Sequence, residues 1–430
     1  MFVTGRLFAL VLLGAVPVLV RPDTTTVWTW VGVCLVAAAL DLALTGSPRA
    51  VRVDRVPVAP VRLGEGTLTT LLVDNPGTRR FRGSLRDAWQ PSAGATGTRH
   101  RLAVPAGERR QVTTSLLPTR RGDRLADRVT VRRLGPLGLV GRQVSVVVAG
   151  HVRALPPFHS RKHLPSRLAR LRQLDGRSAV RTRGQGTEFD SLRDYVDGDD
   201  VRSIDWRATA RRRTTVVRTW QPEKDRHIIL VLDTSRTSAG RVGDVPRLDS
   251  AMDAALLLAA LASRAGDRVD LVAGDRRVHR KVVGASRTEL LPDLVTAMAP
   301  LEPALVEADW SLLVSEVSRV SRQRGLVVLL TPLEPSAVEE SLLAPLSVLA
   351  QRHRVVLASV SDPALTAMVE AHDDGRAAYD AAAAARTIAL RERTGAALGR
   401  LGVDVLDADP EQLPVALADH YLLLKSRGLL

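Results

Sequence analysis

An aspartate followed by alternating hydroxyl residues ends an apolar run in the second half of the sequence. After the letters IILVL come Asp233, Ser235 and Thr237, each two positions from the next. Carboxylate and hydroxyl oxygens are ligands of the kind that Mg²⁺ prefers in proteins, where the ion usually keeps several waters. The same residue types also close strand-to-helix turns by bonding to backbone amides. The pattern therefore predicts either a divalent-cation site or a hydrogen-bonded turn.

Residues 186–206 form a second group, dense in acidic residues and arginines. The carboxylates from Glu188 to Asp205 offer the acid and base of a hydrolase, but no nucleophile paired with a histidine stands beside them. A calcium loop is excluded because its glycine and closing glutamate are not in register. Opposite charges that alternate along a chain favour arginine–carboxylate pairs. We expect a structural network with apolar anchors such as Trp206, and we keep the hydrolase as the alternative.

The elements that must position Asp233 lie in residues 225–430, where apolar runs alternate with helical patterns. Strands are expected over 227–232, 268–273, 325–330, 355–360 and 403–406. Fully apolar strands joined by helices indicate a mostly parallel sheet that is covered on both faces. This region is therefore predicted to be an open, doubly wound α/β domain. Ligands bind such sheets at the carboxyl ends of the strands, where Asp233 falls.

The middle of the chain has a different pattern. Residues 50–155 alternate short β-branched runs with turn signals such as Asn75-Pro76-Gly77, which predicts an all-β sandwich. Residues 156–224 are rich in arginine and contain Pro157 and Pro165. They are expected to form a connector that carries the acidic segment.

Residues 1–48 contain two apolar stretches, 7–20 and 27–44, joined by a short polar link. Their length and composition predict a transmembrane hairpin of two helices. Arg49, Arg52 and Arg55 crowd the exit of the second stretch, and arginines concentrate on the cytoplasmic side of a membrane. We therefore expect a protein of the cell membrane, with both termini and the soluble domains in the cytoplasm.

The chain carries a formal net charge of +15, but its arginines are spread among many carboxylates. No clustered basic stripe with stacking aromatics is present, so no nucleic-acid partner is expected. A basic protein that binds lipid or nucleic-acid surfaces remains an alternative. The only cysteine, Cys34, excludes an intramolecular disulfide and a cysteine-based zinc site.

The D-T-S-R-T spacing, within this order of strands and helices, is similar to the D-x-S-x-S element of von Willebrand factor type A domains. The resemblance implies a metal-ion-dependent adhesion site, in which a partner's carboxylate completes the coordination of a divalent cation such as Mg²⁺. Asp233, Ser235 and Thr237 match the first element. Thr288 is the candidate for the separate threonine of such sites.

The last element of the adhesion site departs from the family pattern. Where the family has an aspartate directly after the threonine of the fourth strand, this chain has Pro332 after Thr331. Proline cannot bind a metal through its side chain, so Glu334, two positions later, is the available substitute. With one certain carboxylate, weak metal affinity is expected.

Residues 186–211 also follow the long ordered pattern G-x-E-F-x-x-L-R-x-Y-x-x-G-D-x-x-R-x-I-D-W. This pattern closely resembles the bacterial family called domain of unknown function 58. The resemblance extends to the apolar N-terminus and to Gly135-Pro136-Leu137-Gly138 in the predicted sandwich. The positions that carry the motif are Gly186, Glu188, Phe189, Leu192, Arg193, Tyr195, Gly198, Asp199, Arg202, Asp205, Trp206 and Arg211.

The resemblance to domain of unknown function 58 implies a membrane-anchored partner of MoxR-type AAA+ ATPases, with the von Willebrand-like domain as the contact. We therefore expect an adaptor at the lipid bilayer that binds proteins and has no enzymatic activity. The alternatives are the hydrolase that uses residues 188–205 and the basic surface binder.

Overall fold

The computed structural model describes residues 1–178, 188–197, 199–221, 226–371 and 374–430. Over these ranges the chain forms two compact units, Met1–Leu155 and Pro156–Leu430. The first unit contains the N-terminal helices and the β-sandwich sheets, and the second contains the mixed parallel sheet. The segment predicted to be a connector, residues 156–224, falls within the second unit.

The first unit begins with helices and continues with strands. Its helices are α1 (Gly5–Leu13), α2 (Ala15–Val20) and α3 (Thr24–Leu44). Its strands are β1 (Phe2–Val3), β2 (Arg52–Arg55), β3 (Val61–Arg62), β4 (Thr67–Asp74), β5 (Phe81–Trp89), β6 (Ala95–Thr96), β7 (Arg99–Val104), β8 (Arg109–Leu116), β9 (Gly122–Leu134), β10 (Val140–Val146) and β11 (His151–Leu155).

Two sheets make up the sandwich. One has the order β1-β10-β9-β11-β3, with β5 beside β9 and β7 beside β5, and the other has the order β2-β4-β8-β6. Val73 of β4, Phe81 and Leu85 of β5, and Val131 of β9 share one core and are at most 1% exposed. Side chains of both sheets therefore pack face to face, which confirms the predicted sandwich.

A buried ion pair joins the two sheets. Arg55 of β2 donates to Asp87 of β5 over 2.6 Å, and their side chains are 3% and 0% exposed. The same guanidinium donates to the Thr69 hydroxyl at 2.9 Å and lies 4.7 Å from the centre of the Trp89 ring. Arg55 was expected to act as a topology signal beside the membrane, but in the folded unit its charge is inside the sandwich.

The first apolar stretch is not one continuous helix. Helices α1 and α2 meet at Gly14, whereas α3 runs unbroken for 21 residues. Trp30 of α3 packs on Gly14, where a Cβ would lie 2.2 Å from the indole ring, and its Nε1 donates to the Leu10 carbonyl at 3.2 Å. The two stretches therefore lie side by side as a helical hairpin.

The hairpin contains a single candidate membrane span within the described residues. The run Thr24–Ala50 has a mean hydropathy of 2.0, and the shorter run Gly5–Val20 does not reach the length needed. This corrects the prediction of two spanning helices. Only 11% of the apolar window is buried, so it is not a core helix, and such a segment occurs in membrane anchors and signal sequences alike.

The second unit alternates strands and helices. Its helices are α4 (Leu164–Ser178), α5 (Trp206–Arg212), α6 (Arg236–Ala239), α7 (Arg247–Arg264), α8 (Leu290–Met298), α9 (Trp310–Val320), α10 (Pro335–Ala337), α11 (Leu343–Arg352), α12 (Pro363–Glu370), α13 (Gly375–Arg400) and α14 (Leu413–Ser426). Its strands are β12 (Glu188–Asp194), β13 (Val216–Gln221), β14 (His227–Asp233), β15 (Arg241–Val242), β16 (Val245–Pro246), β17 (Arg268–Gly274), β18 (Val278–Val282), β19 (Leu326–Leu330), β20 (Arg354–Val360) and β21 (Val403–Ala408).

The central sheet has the order β18-β17-β14-β19-β20-β21. All neighbours are parallel except β18, which runs antiparallel to β17. Alternate residues such as Val231 and Leu329 pack under α9, α11 and α13. Helices α7 and α14 contact the sheet on its other side, and α7 is buried along almost its whole length. The predicted parallel α/β sheet with helices on both faces is thus confirmed.

Replacing Asp87 by asparagine should destabilise the sandwich by about 3 kcal/mol, because it leaves the Arg55 charge buried without its counter-ion. The matched control is Asp74→Asn, which breaks an ion pair whose arginine, Arg109, is 60% exposed. That change should cost less than about 1 kcal/mol. Hydrogen exchange of the β5 amides in the detergent-solubilised full chain measures the loss of stability in both variants. Equal protection in the two variants would contradict a linking role for the buried pair.

Candidate functional site

Four loops meet at the carboxyl edge of the central sheet, and backbone hydrogen bonds fasten them to one another. The N–H of Thr234 donates to the Gly274 carbonyl at 3.0 Å. The N–H of Ala304 donates to the Thr234 carbonyl, and that of Arg236 to the Val306 carbonyl, each at 2.8 Å. The loop after β14 is therefore held by the loops after β17 and α8, as expected for parallel strands that end at one edge.

Asp233 is the centre of this edge and is 1% exposed. Its Oδ1 accepts a bond from the Ser235 N–H at 2.7 Å. Its Oδ2 accepts bonds from the hydroxyls of Thr331 at 2.7 Å and Thr237 at 3.1 Å. The Ser235 hydroxyl lies 3.0 Å from that of Thr237. The carboxylate and hydroxyls predicted from the sequence thus come together, with Thr331 added from the end of β19.

A shallow depression lies over this cluster. Its wall combines hydroxyl groups with apolar side chains of α9 and of the helical run that begins at Pro335, and Glu307 adds a carboxylate. Glu307 is half exposed and pairs with Arg236 of the first loop. The lining residues are Ser235, Thr237, Glu307, Ala308, Trp310, Thr331, Pro332, Ala337, Val338, Ser341 and Leu342.

Thr288 does not join the cluster. Strand β18 is antiparallel to β17 and carries the chain from the carboxyl edge back to the amino edge, so the residues after it lie far from Asp233. There the Thr288 hydroxyl, which is exposed, lies 3.2 Å from that of Ser286. The expected role of Thr288 as a ligand is therefore not supported by its position.

Glu334 also lies outside the cluster, in ion pairs with two arginines. One of its oxygens accepts a bond from Arg247 at 2.7 Å and lies 3.5 Å from Arg391. Arg391 is 5% exposed and pairs in turn with Asp407 at 2.7 Å. Glu334 thus completes an ion-pair network between the site loop and helices α7 and α13, and it is not free to replace a metal-binding aspartate.

The donor set does not fit a resident divalent cation. Asp233 contributes one carboxylate, whose two oxygens already accept three hydrogen bonds, and Pro332 occupies the place of a second acid. Mg²⁺ is held in proteins by one or two carboxylates in near-octahedral geometry. Across the ranges that the structure describes, no three His, Cys, Asp or Glu residues are grouped to hold a metal ion. The cluster fits the hydrogen-bonded turn, which was the other interpretation of the sequence.

A second buried carboxylate supports the loop after β17. The Oδ2 of Asp275 accepts the Thr234 hydroxyl at 2.9 Å and lies 2.7 Å from Nε2 of His279. Burial by itself raises the pKa of Asp275, but the bonds from His279 and Thr234 outweigh that effect and leave the pKa below its ordinary value of 3.8. The loop is thus held by an ionised acid.

The acidic segment of the motif forms caps and ion pairs. Arg193 donates to Asp199 over 2.5 Å. Asp200 accepts the Arg202 N–H at 3.0 Å. Asp205 caps α5 by accepting the N–H groups of Arg207 and Ala208, and it also pairs with Arg218 at 2.7 Å. Hydrogen bonds from Ala208 and then Arg218 lower the pKa of Asp205. These carboxylates are used to hold the segment in shape.

The remaining motif residues lie in different environments. Glu188, Phe189 and Leu192 lie on β12, which pairs with β13, and Tyr195 follows directly. Trp206 is 68% exposed, so the expectation that it anchors the segment in a core is wrong. Arg202 and Arg211 are exposed as well, whereas Gly186 and Gly198 lie outside the described residues.

Residues 191–394 match the family model described as "Protein of unknown function DUF58". This stretch belongs to the DUF58 family. The match begins in β12 and ends within α13, so it includes both Asp233 and Thr331. It confirms the resemblance that the motif carried. The DUF58 description itself assigns no function.

Relatives of known sequence add no activity. The chain is similar to uncharacterized proteins of Mycobacterium bovis and Mycobacterium tuberculosis strain H37Rv, each 31% identical over 182 residues. The match covers 42% of this chain and 56% of each relative, so it spans little more than half of their length.

Solved structures give only distant similarities. A conserved hypothetical protein, BatB from Bacteroides thetaiotaomicron, is 10% identical, and the match covers 47% of this chain and 98% of BatB with a TM-score of 0.30. A PapD-like domain of human CEP192 is 15% identical and covers 26% of this chain and 90% of that domain, with a TM-score of 0.17. These scores are too low to support an argument about the fold. The fold is therefore described from the strand order of this chain alone.

Sequence reasoning named Thr331 without giving it a role, and it missed two groups of ion pairs. Thr331 is the first residue after a buried strand, and this position alone would have placed it beside Asp233. The Glu307–Arg236 pair and the Arg391–Glu334 network join residues more than 50 positions apart. No local sequence pattern predicts ion pairs between such distant residues.

Replacing Asp233 by alanine should destabilise the carboxyl edge by about 3 kcal/mol, because three donors lose their acceptor in a site closed to water. The control Thr237→Val removes one donor and should cost about 1 kcal/mol. Hydrogen exchange of the β14 and β19 amides in the full chain reports both. Unchanged exchange in the Asp233 variant would show that the cluster does not fasten these loops.

The Asp275 bonds predict a dependence of stability on pH. Because the folded-state pKa is lowered, Asp275 stabilises the fold above its unfolded value and loses that effect as the pH falls through the folded value, below about pH 4. Asp275→Asn should flatten the loss of stability in acid relative to the wild type. The exposed residue Asp244 supplies the control Asp244→Asn, and a denaturation series from neutral to acid pH is the measurement. Parallel curves for all three proteins would contradict the assignment.

Proposed function

We propose that this DUF58 protein is a membrane-anchored, cytoplasm-facing interaction module that binds a protein partner at the carboxyl edge of its α/β unit. The observation that supports this most directly is the depression above Asp233. The exposed Glu307 and Arg236 side chains and the half-buried Thr237 lie at its rim, while the Asp233 carboxylate beneath is closed into hydrogen bonds. Such a surface offers shape and hydrogen bonds to a partner, and it presents no activated nucleophile.

The partner we propose is a MoxR-type AAA+ ATPase, as the resemblance to the domain of unknown function 58 implies. The strand order supports the same partner. Numbered along the chain, the six strands of the central sheet lie in the order 3-2-1-4-5-6, with an antiparallel edge strand. Asp233 then lies at the edge where von Willebrand-like domains bind. The chain would act as an adaptor at the lipid bilayer, without an enzymatic activity of its own.

We further propose that binding needs no resident metal ion. In an adhesion site that uses a cation, the partner's carboxylate completes the metal coordination. Here the half-buried Thr237 hydroxyl can form a direct hydrogen bond to a partner, and the exposed Arg236 beside it carries a positive charge. The Mg²⁺ site predicted from the sequence is thus the competing mechanism.

The anchor we propose is the helical hairpin, with α3 as its spanning arm. Strand β1 ahead of α1 pairs with β10, and the end of α3 is hydrogen-bonded to the turn before β10. Both ends of the hairpin therefore meet the same β unit. Arg49 and Arg52, just after α3, favour the cytoplasmic side.

Ser341→Arg tests the binding surface, because a long cationic side chain there would fill the depression. The matched control is Ser347→Arg, the same change on α11 outside the lining. Capture of a MoxR-type ATPase by the membrane-bound full chain should weaken about tenfold or more with the first variant, as for the centre of an interface. The second variant should bind like the wild type.

A chelator separates the two mechanisms in the same experiment. With EDTA present and no nucleotide added, capture by the wild type should be unchanged. Loss of capture that Mg²⁺ restores would overturn the metal-free mechanism and support the cation site. Equal capture by the Ser341 and Ser347 variants would instead show that the partner does not bind at this edge.

A further inference from the structure

The apolar helix α3 contains one acid, Asp41, and that acid is completely buried. Its Oδ1 accepts the N–H of Leu137 at 2.7 Å, and its Oδ2 accepts those of Leu139 at 2.8 Å and Val140 at 2.9 Å. Leu137 and Leu139 belong to the turn between β9 and β10, residues 135–139, and Val140 is the first residue of β10. A charged group inside an apolar helix is thus fully satisfied by the backbone of the sandwich.

The turn is built to approach the helix closely. A Cβ on Gly135 would lie 2.2 Å from the Asp41 carboxylate and 2.7 Å from its carbonyl oxygen, so only glycine fits there. Thr45 donates back to the Asp41 carbonyl at 2.6 Å. From the other arm of the hairpin, the Thr4 hydroxyl donates to the Gly138 carbonyl at 2.6 Å. The turn is held by both ends of the hairpin.

These bonds fix the depth of the turn relative to the helix. The 21 residues of α3 span about 31 Å, close to the thickness of the hydrocarbon core of a bilayer, which is about 30 Å. Asp41 lies about 4.5 Å before the end of the helix, roughly one turn. Leu137, in direct contact with Asp41, must lie at the same level, near the boundary between hydrocarbon and headgroups.

The side chains around the turn suit that boundary. Leu134 and Leu137 point outward and are 52% and 49% exposed. Arg6 lies against Gly138, and the guanidinium of Arg133 lies against Gly46, just past the end of α3. Apolar side chains beside arginines are the composition of a surface that sits in the headgroup layer, where the cations meet lipid phosphates.

We propose that the turn of residues 134–139 is immersed in the headgroup layer of the bilayer, at a depth set by the Asp41 carboxylate. The sandwich is then a domain that rests directly on the lipid and does not hang from a flexible linker. This inference depends on the proposed anchor and adds a second lipid contact to it. The family motif Gly135-Pro136-Leu137-Gly138 acquires a physical role as the clamp on Asp41.

The test uses single thiols in the full chain, in a Cys34→Ala background. Leu137→Cys reports on the turn, and Leu125→Cys on β9 is the matched control, since both leucines are 49% exposed. Each thiol carries the fluorophore NBD, and the protein is reconstituted in vesicles of phosphatidylcholine and phosphatidylglycerol in equal parts. Quenching by aqueous iodide and by headgroup nitroxide lipids is measured.

We expect the probe at position 137 to be quenched several-fold less by iodide, and several-fold more by nitroxide lipid, than the probe at 125. Equal quenching of the two probes in protein that floats with the vesicles would overturn this inference and leave the proposed anchor intact. Failure of the protein to float would overturn both.

A second variant tests the role of the carboxylate. Asp41→Leu keeps α3 apolar but removes the acceptor of three backbone amides. In flotation-competent protein the probe at 137 should become as accessible to iodide as the probe at 125. Unchanged shielding in this variant would show that Asp41 does not set the depth of the turn. The comparison of positions 137 and 125 in the parent chain needs no such change at Asp41.

Discussion

Carboxylates that lie away from water hold the described parts of this chain together, because a buried charge is tolerated only when donors surround it. Asp87 joins the two sheets of the sandwich through Arg55. Asp41 joins the apolar helix to the turn before β10. Asp233 joins the ends of two neighbouring parallel strands through Thr331. In each place one acid connects two elements that are distant in the sequence.

This constraint explains why the candidate site lacks the charge expected of a metal centre. The oxygens of Asp233 are occupied by the Ser235 amide and by two hydroxyls, and Glu334, three positions after Thr331, is held between two arginines. What remains exposed at the edge is the Arg236–Glu307 pair beside the half-buried Thr237. Recognition of a protein surface is the chemistry that such a lining can perform.

The secondary structure of the α/β unit follows closely from the sequence, because each buried strand is a short unbroken apolar run. The strand predicted over 227–232 is observed as His227–Asp233, and the strand predicted over 355–360 is observed as Arg354–Val360. The hairpin was harder to predict. Its first arm has the right hydropathy, but Pro17 cannot donate to the Leu13 carbonyl, and the arm is divided at Gly14 into two short helices.

The candidate site was also predicted only in part from the sequence. The spacing of Asp233, Ser235 and Thr237 follows from their positions on one turn, and the sequence alone brings them together. Thr288 was misplaced because a helix start after an antiparallel strand lies at the opposite edge, and strand direction is a property of the whole sheet. Trp206 was expected to be an apolar anchor of the motif segment, but it is 68% exposed.

The sequence by itself determined the order of the elements, the apolar N-terminus, the DUF58 motif and the carboxylate at the end of β14. These depend on local periodicity and on residues close together in the chain. The tertiary structure alone decided the partner of each acid: Leu137 for Asp41, Arg55 for Asp87, Thr331 for Asp233. A buried carboxylate needs donors from any direction, and the donors that reach it are chosen by packing between distant segments, which local sequence does not encode.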